Sequence, residues 1–253
     1  MTQTGAGSET VRGPARALGR DAAGVRLITL DLDETVWPCW SAIVRAEERL
    51  FGWLSERAPA LAKSYSIERL REHRAALRQA RPELAHDITA LRTESLGELL
   101  IRHGYERDWA RQGVALFMEE RNRVEPYPDV APVLGRLAAR YCLVSITNGN
   151  AEVGRTPLRG RFNHSISAAD VGASKPAPAM FEAAMGHAGV APDAAVHVGD
   201  DPFLDVDAAR RLGMRTVWVN RSGAPWPEAL APADLEVSDF FALERWLSSI
   251  GPG

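Results

Sequence analysis

Cysteine is almost absent from this chain, with only Cys39 and Cys142 among 253 residues. They lie far apart and neither sits in a metal-ligand spacing. A disulfide framework is therefore excluded, and a cytoplasmic location is expected. Long hydrophobic runs are also missing. No apolar stretch approaches the roughly 20 residues that cross a bilayer, so no membrane partner is expected. Nor is there an excess of positive charge. Against 30 Lys and Arg stand 33 Asp and Glu, a formal net charge of -3, which argues against a nucleic-acid partner. The first two dozen residues are rich in Gly, Ala, Arg, Ser and Thr and lack the apolar core of a secretory signal. Residues 1–24 are expected to be a mobile extension.

What the chain does contain is the composition of a globular protein, 45% hydrophobic and 25% charged. Its length suits one large or two modest domains. Leu27–Leu30 is an unbroken aliphatic and β-branched run, the pattern of a buried parallel strand. Between residues 37 and 123 the 3.6-residue period predicts four amphipathic helices, over 41–56, 66–81, 87–103 and 106–123. After Glu125-Pro126-Tyr127-Pro128 the pattern changes. Helices over 129–139, 178–188 and 205–212 alternate with strands over 141–146, 195–198 and 216–219, and 163–167 reads as a weak strand. That alternation predicts an α/β fold, a doubly wound parallel sheet with right-handed crossovers. The helical block is then an insertion. The expected division is a core of residues 25–36 and 126–253 and an all-helical domain of residues 37–125, joined by two hinges.

Polar residues cluster where these strands end. Asp31 and Asp33 follow the first strand, Thr147-Asn148-Gly149-Asn150 the second, and Gly199-Asp200-Asp201 the strand at 195–198, with Asp205 and Asp207 shortly after. Lys175 lies between small residues and prolines in a loop. Each site has a plainer explanation. The first is a solvated acidic turn, the second an ordinary Asn-Gly turn, the third a loop lysine, and Asp205 a helix N-cap. In a doubly wound sheet, however, all the strand ends lie on one edge, where ligands bind. Three carboxylates about 5 Å apart repel by roughly 3 kcal/mol per pair at an effective dielectric near 20. A hard divalent cation such as Mg²⁺, which takes oxygen ligands, relieves that repulsion at Asp200 and Asp201, and Lys175 assists.

The ordered set, Asp31-Leu32-Asp33-Glu34-Thr35, Thr147-Asn148, Lys175 and Gly199-Asp200 through Asp205, resembles the four motifs of the haloacid dehalogenase-like phosphohydrolases. The helical insertion after the first strand resembles that family's mobile cap. The resemblance implies a phosphomonoesterase in which Asp31 is the nucleophile, forming an aspartyl-phosphate, and Asp33 the general acid and base. It implies Thr147, Asn148 and Lys175 as phosphate-binding residues. Mg²⁺ would be held by Asp31, Asp200 and the Asp33 main-chain carbonyl, with Asp205 supporting the site. Asp33 also argues against dehalogenation, a branch that uses neither the metal nor this second aspartate.

Arg81-Pro82-Glu83, His86-Asp87-Ile88-Thr89, Val144 to Ala151 and His197 to Asp201 further resemble bacterial phosphatases of flavin mononucleotide (FMN) and of the ribitylaminouracil phosphate of riboflavin synthesis. That implies cap contacts to the leaving group from His86, Asp87 or Arg92, although Asp87 also suits a helix cap. Trp37 and Trp40 are candidates for stacking on a planar ring, and packing at the hinge is the competing role. Cys39 is expected to be a buried thiol, and Trp226 carries no assignment. Rival readings are a phosphatase for a sugar phosphate or nucleotide, a phosphomutase, a receiver-type phosphorylation module, and a catalytically weak binding protein. The receiver reading lacks its acceptor carboxylate, because the second strand ends in Thr147-Asn148.

Overall fold

The computed structural model describes residues 24–250. The expected N-terminal extension lies outside them except for Gly24. Six parallel strands form one sheet: β1 Leu27–Leu30, β2 Cys142–Thr147, β3 His164–Ser167, β4 Ala195–Gly199, β5 Arg215–Val219 and β6 Leu235–Val237. Their order is β3-β2-β1-β4-β5-β6. The chain therefore leaves β1 in one direction to build β2 and β3, then returns to its other side for β4 to β6. That reversal makes β1 central and opens a crevice at its carboxyl end. Leu30 is in register with Ser145 on one side and Val198 on the other. Asp31, the next residue, thus emerges between the ends of β2 and β4.

Between β1 and β2 come α1 Trp40–Arg57, α2 Pro59–Ser64, α3 Ile67–Ala80, α4 Ile88–Arg102 and α5 Trp109–Arg121. Five helices replace the expected four, because Pro59 cannot continue α1 but suits the first turn of a new helix. Ala42, Ala46, Leu50 and Leu54 recur every fourth residue on the buried face of α1. Ser66 and Asp87 cap α3 and α4 through Arg69 N and Ala90 N. These helices share an apolar cluster that includes Leu54, Leu99 and Phe117.

The remaining helices cover the sheet. On one face α6 Val130–Leu137 and α10 Phe240–Ile250 pack over Ile28, Leu143 and Val217. On the other, α7 Ala168–Val171, α8 Pro178–Ala188 and α9 Ala208–Arg211 pack over Leu27, Val144 and Ile146. Helices α7 and α10 and strand β6 escaped the sequence reading. The first and last of these elements are short, and α10 follows a loop without a strong periodic signal. The expected helix at 205–212 is instead a π-helical stretch, Pro202–Asp207, that runs into α9. Its first turn is capped by Asp201, which accepts from Phe203 N and Leu204 N. Trp226 meets Trp218 edge to face and donates to the Leu230 carbonyl, so its role is packing.

One polar hub ties three elements together beneath the crevice. Asp129 accepts from both terminal nitrogens of Arg221 at 3.2 and 3.0 Å, and from Phe240 N at 2.7 Å. Arg221 also donates to the Thr35 carbonyl. Burial works against the Asp129 charge, but Arg221 and the Phe240 amide outweigh it and hold the pKa below the usual value. Asp129→Ala leaves Arg221 half-buried without its partner. It is expected to lower stability by about 3 kcal/mol near neutral pH, read by denaturant unfolding. The loss should shrink as pH falls through the carboxylate range, since the depressed pKa stabilises only above it; a constant loss would exclude the ion pair as the cause.

Candidate active site

Past Leu30 the backbone turns sharply. Val36 N donates to Leu32 O and Glu34 N to Trp37 O, both at 2.8 Å, and Glu34 sits at φ 62°. Such a left-handed position is costly for a residue with a side chain and recurs at functional sites. The turn separates the two aspartates that a continuing strand would place together. Asp31 is buried and accepts from Lys175 Nζ at 2.5 Å. Asp33 instead faces the helical insertion. It accepts from Arg121 Nη2 at 2.6 and 2.7 Å and from Trp37 Nε1 at 2.8 Å. Gly149 makes room for it, since a Cβ there would come within 2.5 Å of Asp33 Oδ2.

Lys175 is 4% exposed and also donates to Asp205 Oδ1 at 2.6 Å. Asn148 fixes it. The Asn148 side chain accepts from Lys175 N at 2.7 Å and donates to Lys175 O at 2.9 Å. The Asn148 amide group therefore holds the lysine's backbone and is not itself free for a phosphate. Thr147 accepts from Gly149 N at 2.9 Å, which leaves its hydroxyl proton for another acceptor. Asp200 accepts from Thr35 Oγ1 at 2.8 Å. Asp205 is not a helix cap. Buried beside β4, it receives Lys175, lies 3.2 Å from His197 Nε2 and accepts from Asp201 N at 3.1 Å. Gly199 permits this, because a Cβ there would sit 2.4 Å from the Asp205 side chain.

Asp31, Asp200 and Asp205 offer oxygens within 4.8 Å of one another, a cluster suited to a hard divalent cation. Asp201 and the Asp33 carboxylate are outside it, the first spent on its cap and the second on Arg121. Any role for Asp33 in holding a cation falls to its main-chain carbonyl. The cluster lines a cleft of about 190 Å³ with Asp33, Thr147 and Lys175. A neighbouring cavity of about 400 Å³ shares Thr147 and Gly149 with it and reaches the insertion at His86, Asp87 and Thr89.

Arg92 does not reach either space. It is 6% exposed, with its guanidinium 3.6 Å from the centre of the Phe117 ring and 3.8 Å from Glu47. Arg71 and Arg74 share the same glutamate. Burial and these like charges press the Arg92 pKa down to about 9. Trp37 is fully buried and cannot stack on a ligand, whereas Trp40 is 60% exposed. Cys39 is half-buried, and burial followed by Asp33 pushes its thiol pKa upward.

Two site residues escaped the sequence reading. Arg121 continues the buried stripe of Val114 and Phe117, so a charge on an apolar helix face was the available signal. His197, fully buried between Val196 and Val198, was a polar residue inside a buried strand.

The family model described as haloacid dehalogenase-like hydrolase matches residues 25–213. The chain is 32% identical over 236 residues to the 5-amino-6-(5-phospho-D-ribitylamino)uracil phosphatase YigB of Escherichia coli, covering 90% of this chain and 97% of that protein. The chain belongs to the haloacid dehalogenase-like hydrolases. It is an enzyme, and the expected phosphatase of this family is borne out by such relatives. Among solved structures, a 2-haloacid dehalogenase from Pseudomonas syringae pv. Tomato DC3000 superposes with a TM-score of 0.83 at 39% identity, covering 89% of this chain and 99% of that one. A phosphatase of the family from Thermococcus onnurineus gives 0.65 at 25% identity, over 90% and 100%.

In this hydrolase the cluster's electrostatics disfavour three bare carboxylates, a strain that retained protons or a bound cation relieves. Burial drives the Asp31 pKa well above the ordinary value; Asp205 and Asp200 add to the rise and Lys175 opposes it. Burial and Asp205 push Asp200 up to about 7. Asp205 is held low despite its burial, because Lys175 and His197 favour its charge. Lys175 is held above the usual lysine value, since Asp205 and Asp31 outweigh its burial. Burial keeps His197 neutral, so its Nε2 proton goes to the charged Asp205 and Nδ1 accepts from Thr29 at 2.8 Å.

The folded chain thus retains a proton on Asp200 between about pH 4 and 7 that the unfolded chain has lost, and this contribution to stability falls as pH rises through that window. A divalent cation offsets that loss. Thermal unfolding should show a larger cation-induced rise in Tm near pH 8 than near pH 5.5. Asp200→Asn should abolish the rise and stabilise the cation-free protein near pH 8 by about 1–3 kcal/mol. Equal shifts at both pH values would place the cation elsewhere.

Proposed function

We propose that this hydrolase is a cytoplasmic, Mg²⁺-dependent phosphomonoesterase working through an aspartyl-phosphate, and that its substrate carries a ribityl phosphate end, as FMN and the ribitylaminouracil phosphate do. The acid cluster around Lys175 carries the reading. Asp31, Asp200, Asp205 and Lys175 sum to a charge of -2 when ionised, which one divalent cation neutralises. Oxygen donors only, at a cleft of about 190 Å³, fit Mg²⁺. The substrate class is supported by the likeness to the Escherichia coli ribitylaminouracil phosphate phosphatase. The two unpaired cysteines support the location.

In the proposed reaction Lys175 occupies Asp31 Oδ1, which leaves Oδ2 to attack phosphorus. The phosphorus–oxygen bond to the leaving group breaks as the bond to Asp31 forms. Asp33 gives its proton to the departing oxygen. A water then attacks the phosphoryl group, Asp33 takes its proton, and Asp31 is released with inorganic phosphate. The Thr147 hydroxyl, the Asn148 main-chain amide and the Lys175 ammonium donate to the phosphoryl oxygens, where charge stabilisation dominates this chemistry. Asp31, Asp200 and the Asp33 main-chain carbonyl, with Asp205 behind them, would hold Mg²⁺, which would supply neutralising charge to the phosphoryl group. Residues 37–125 act as a cap on a core of residues 25–36 and 126–253, presenting His86 and Asp87 to the leaving group; Arg92 holds the cap together from inside.

The likeness to a haloacid dehalogenase favours a second reading, attack by Asp31 on a carbon bearing halogen. It leaves the Asp200 carboxylate and the second aspartate, Asp33, without a task. Phosphate release from FMN, ribitylaminouracil phosphate, sugar phosphates and nucleotides, with and without Mg²⁺, separates these readings when halide release from a 2-haloacid is measured alongside. We expect Mg²⁺-dependent phosphate release, highest on the ribityl esters. Asp31→Asn should reduce it at least about a thousandfold with little change in Tm. Halide release without Mg²⁺ would replace the phosphatase reading, and turnover confined to other esters would replace the ribityl substrate.

A further inference from the structure

The larger cavity beside the phosphate cleft has an unusual wall. It holds three carboxylates, Asp87, Glu152 and Asp170, while no lysine or arginine among the described residues lines it. His86 is the one lining group able to carry positive charge. The carboxylates are kept in place by local structure. Asp87 accepts from Ala90 N at 2.8 Å. Asp170 accepts from Ser167 N at 2.8 Å, and Glu152 lies 3.4 Å from Arg155. Their positions therefore do not depend on a ligand.

A second observation points to what belongs there. Ser145 lines the same cavity, is 1% exposed, and its Oγ has no hydrogen-bond partner. A buried hydroxyl left unpaired destabilises the fold and calls for an explanation. Ser145 lies two residues before Thr147 on β2, so both side chains share a face about 7 Å apart along the strand. A chain leaving a phosphoryl group at Thr147 would run down to the Ser145 hydroxyl. Asn150 also lines the cavity, its amide tied to Thr89. The cavity volume, about 400 Å³, falls within the roughly 300–1,000 Å³ of small-molecule sites.

Resting on the phosphatase reading, we infer that this cavity selects its leaving group by charge: it takes a neutral, hydroxyl-rich chain, hydrogen-bonded by Ser145, and rejects esters whose leaving group carries a second anion. Ser145 is the specificity-determining residue, and the carboxylate wall supplies the rejection. An added anion would face like charges with neither lysine nor arginine on the described lining to pair it.

D-ribitol 5-phosphate and D-ribonate 5-phosphate test this, since they differ only in a terminal carboxylate. The kcat/KM of the wild-type enzyme should favour the ribitol ester by at least about tenfold. Glu152→Lys should narrow that ratio. Ser145→Ala should lower kcat/KM for the ribitol ester relative to p-nitrophenyl phosphate by about tenfold while the Tm of the ligand-free protein stays level or rises, because an unmade hydrogen bond has been removed. A fall in Tm would mark Ser145 as structural and overturn its assignment. Equal turnover of the two esters would overturn the charge selection. Saturation-transfer NMR with ribitol and ribonate themselves requires no turnover. Contacts to ribitol but not ribonate, lost in Ser145→Ala, support the cavity assignment even if every ester proves inert, in which case only the phosphatase reading falls. Ribonate binding as well as ribitol, or no ribitol contact with the wild-type protein, overturns the assignment.

Discussion

Everything at the crevice depends on one ammonium group set between buried carboxylates. Lys175 Nζ lies 2.5 Å from Asp31 and 2.6 Å from Asp205, with all three side chains nearly removed from water. Buried charges survive only when paired and hydrogen-bonded. The fold meets that condition from several directions. Asn148 clamps the lysine's backbone, His197 and Asp201 N saturate Asp205, and Thr35 steadies Asp200. The balance remains incomplete, because one lysine faces three acids. That residual negative charge suits the site to a cation, and Lys175 occupies only the Oδ1 oxygen of Asp31.

The sheet topology makes this concentration of charge possible. Reversal of strand order at β1 brings residues from positions 31, 147, 175 and 200 to one mouth. The hub at Asp129 then joins the mouth to the outer helices through Arg221 and the Thr35 carbonyl. The same Thr35 whose carbonyl Arg221 holds donates its hydroxyl to Asp200. Stability and site geometry therefore share residues, as expected where polar groups are buried in a network.

The helical insertion contributes in two chemically opposite ways. Toward Asp33 it presents Arg121, a buried cation. Toward the larger cavity it presents Asp87 and a hydroxyl, Thr89, with no cation of its own beyond His86. Three of its other arginines, Arg71, Arg74 and Arg92, are gathered around Glu47. This arrangement puts positive charge beside Asp33 at the smaller cleft and leaves the wall of the larger cavity acidic. The same core can serve other esters by altering only such lining residues.

Much of this was legible in the sequence by itself. Aliphatic runs marked β1, β2, β4 and β5, the 3.6-residue period marked the long helices, and the carboxylates after β1 and β4 stood out because a strand end is where they can act. Lys175 and Thr147 were readable for the same reason, as local polar residues at strand ends or in constrained loops. Only the tertiary structure decided which charge meets which. The turn at Glu34 sent Asp33 to Arg121 instead of to the acid cluster, burial moved Asp205 from a helix cap to the partner of Lys175, and Arg92 withdrew beneath Phe117. Composition and periodicity report which face of an element is buried. They carry no information about partners 88 or 144 residues away, because those pairings are fixed by how strands and helices pack, and long-range Coulomb and hydrogen-bond energies depend on that packing alone.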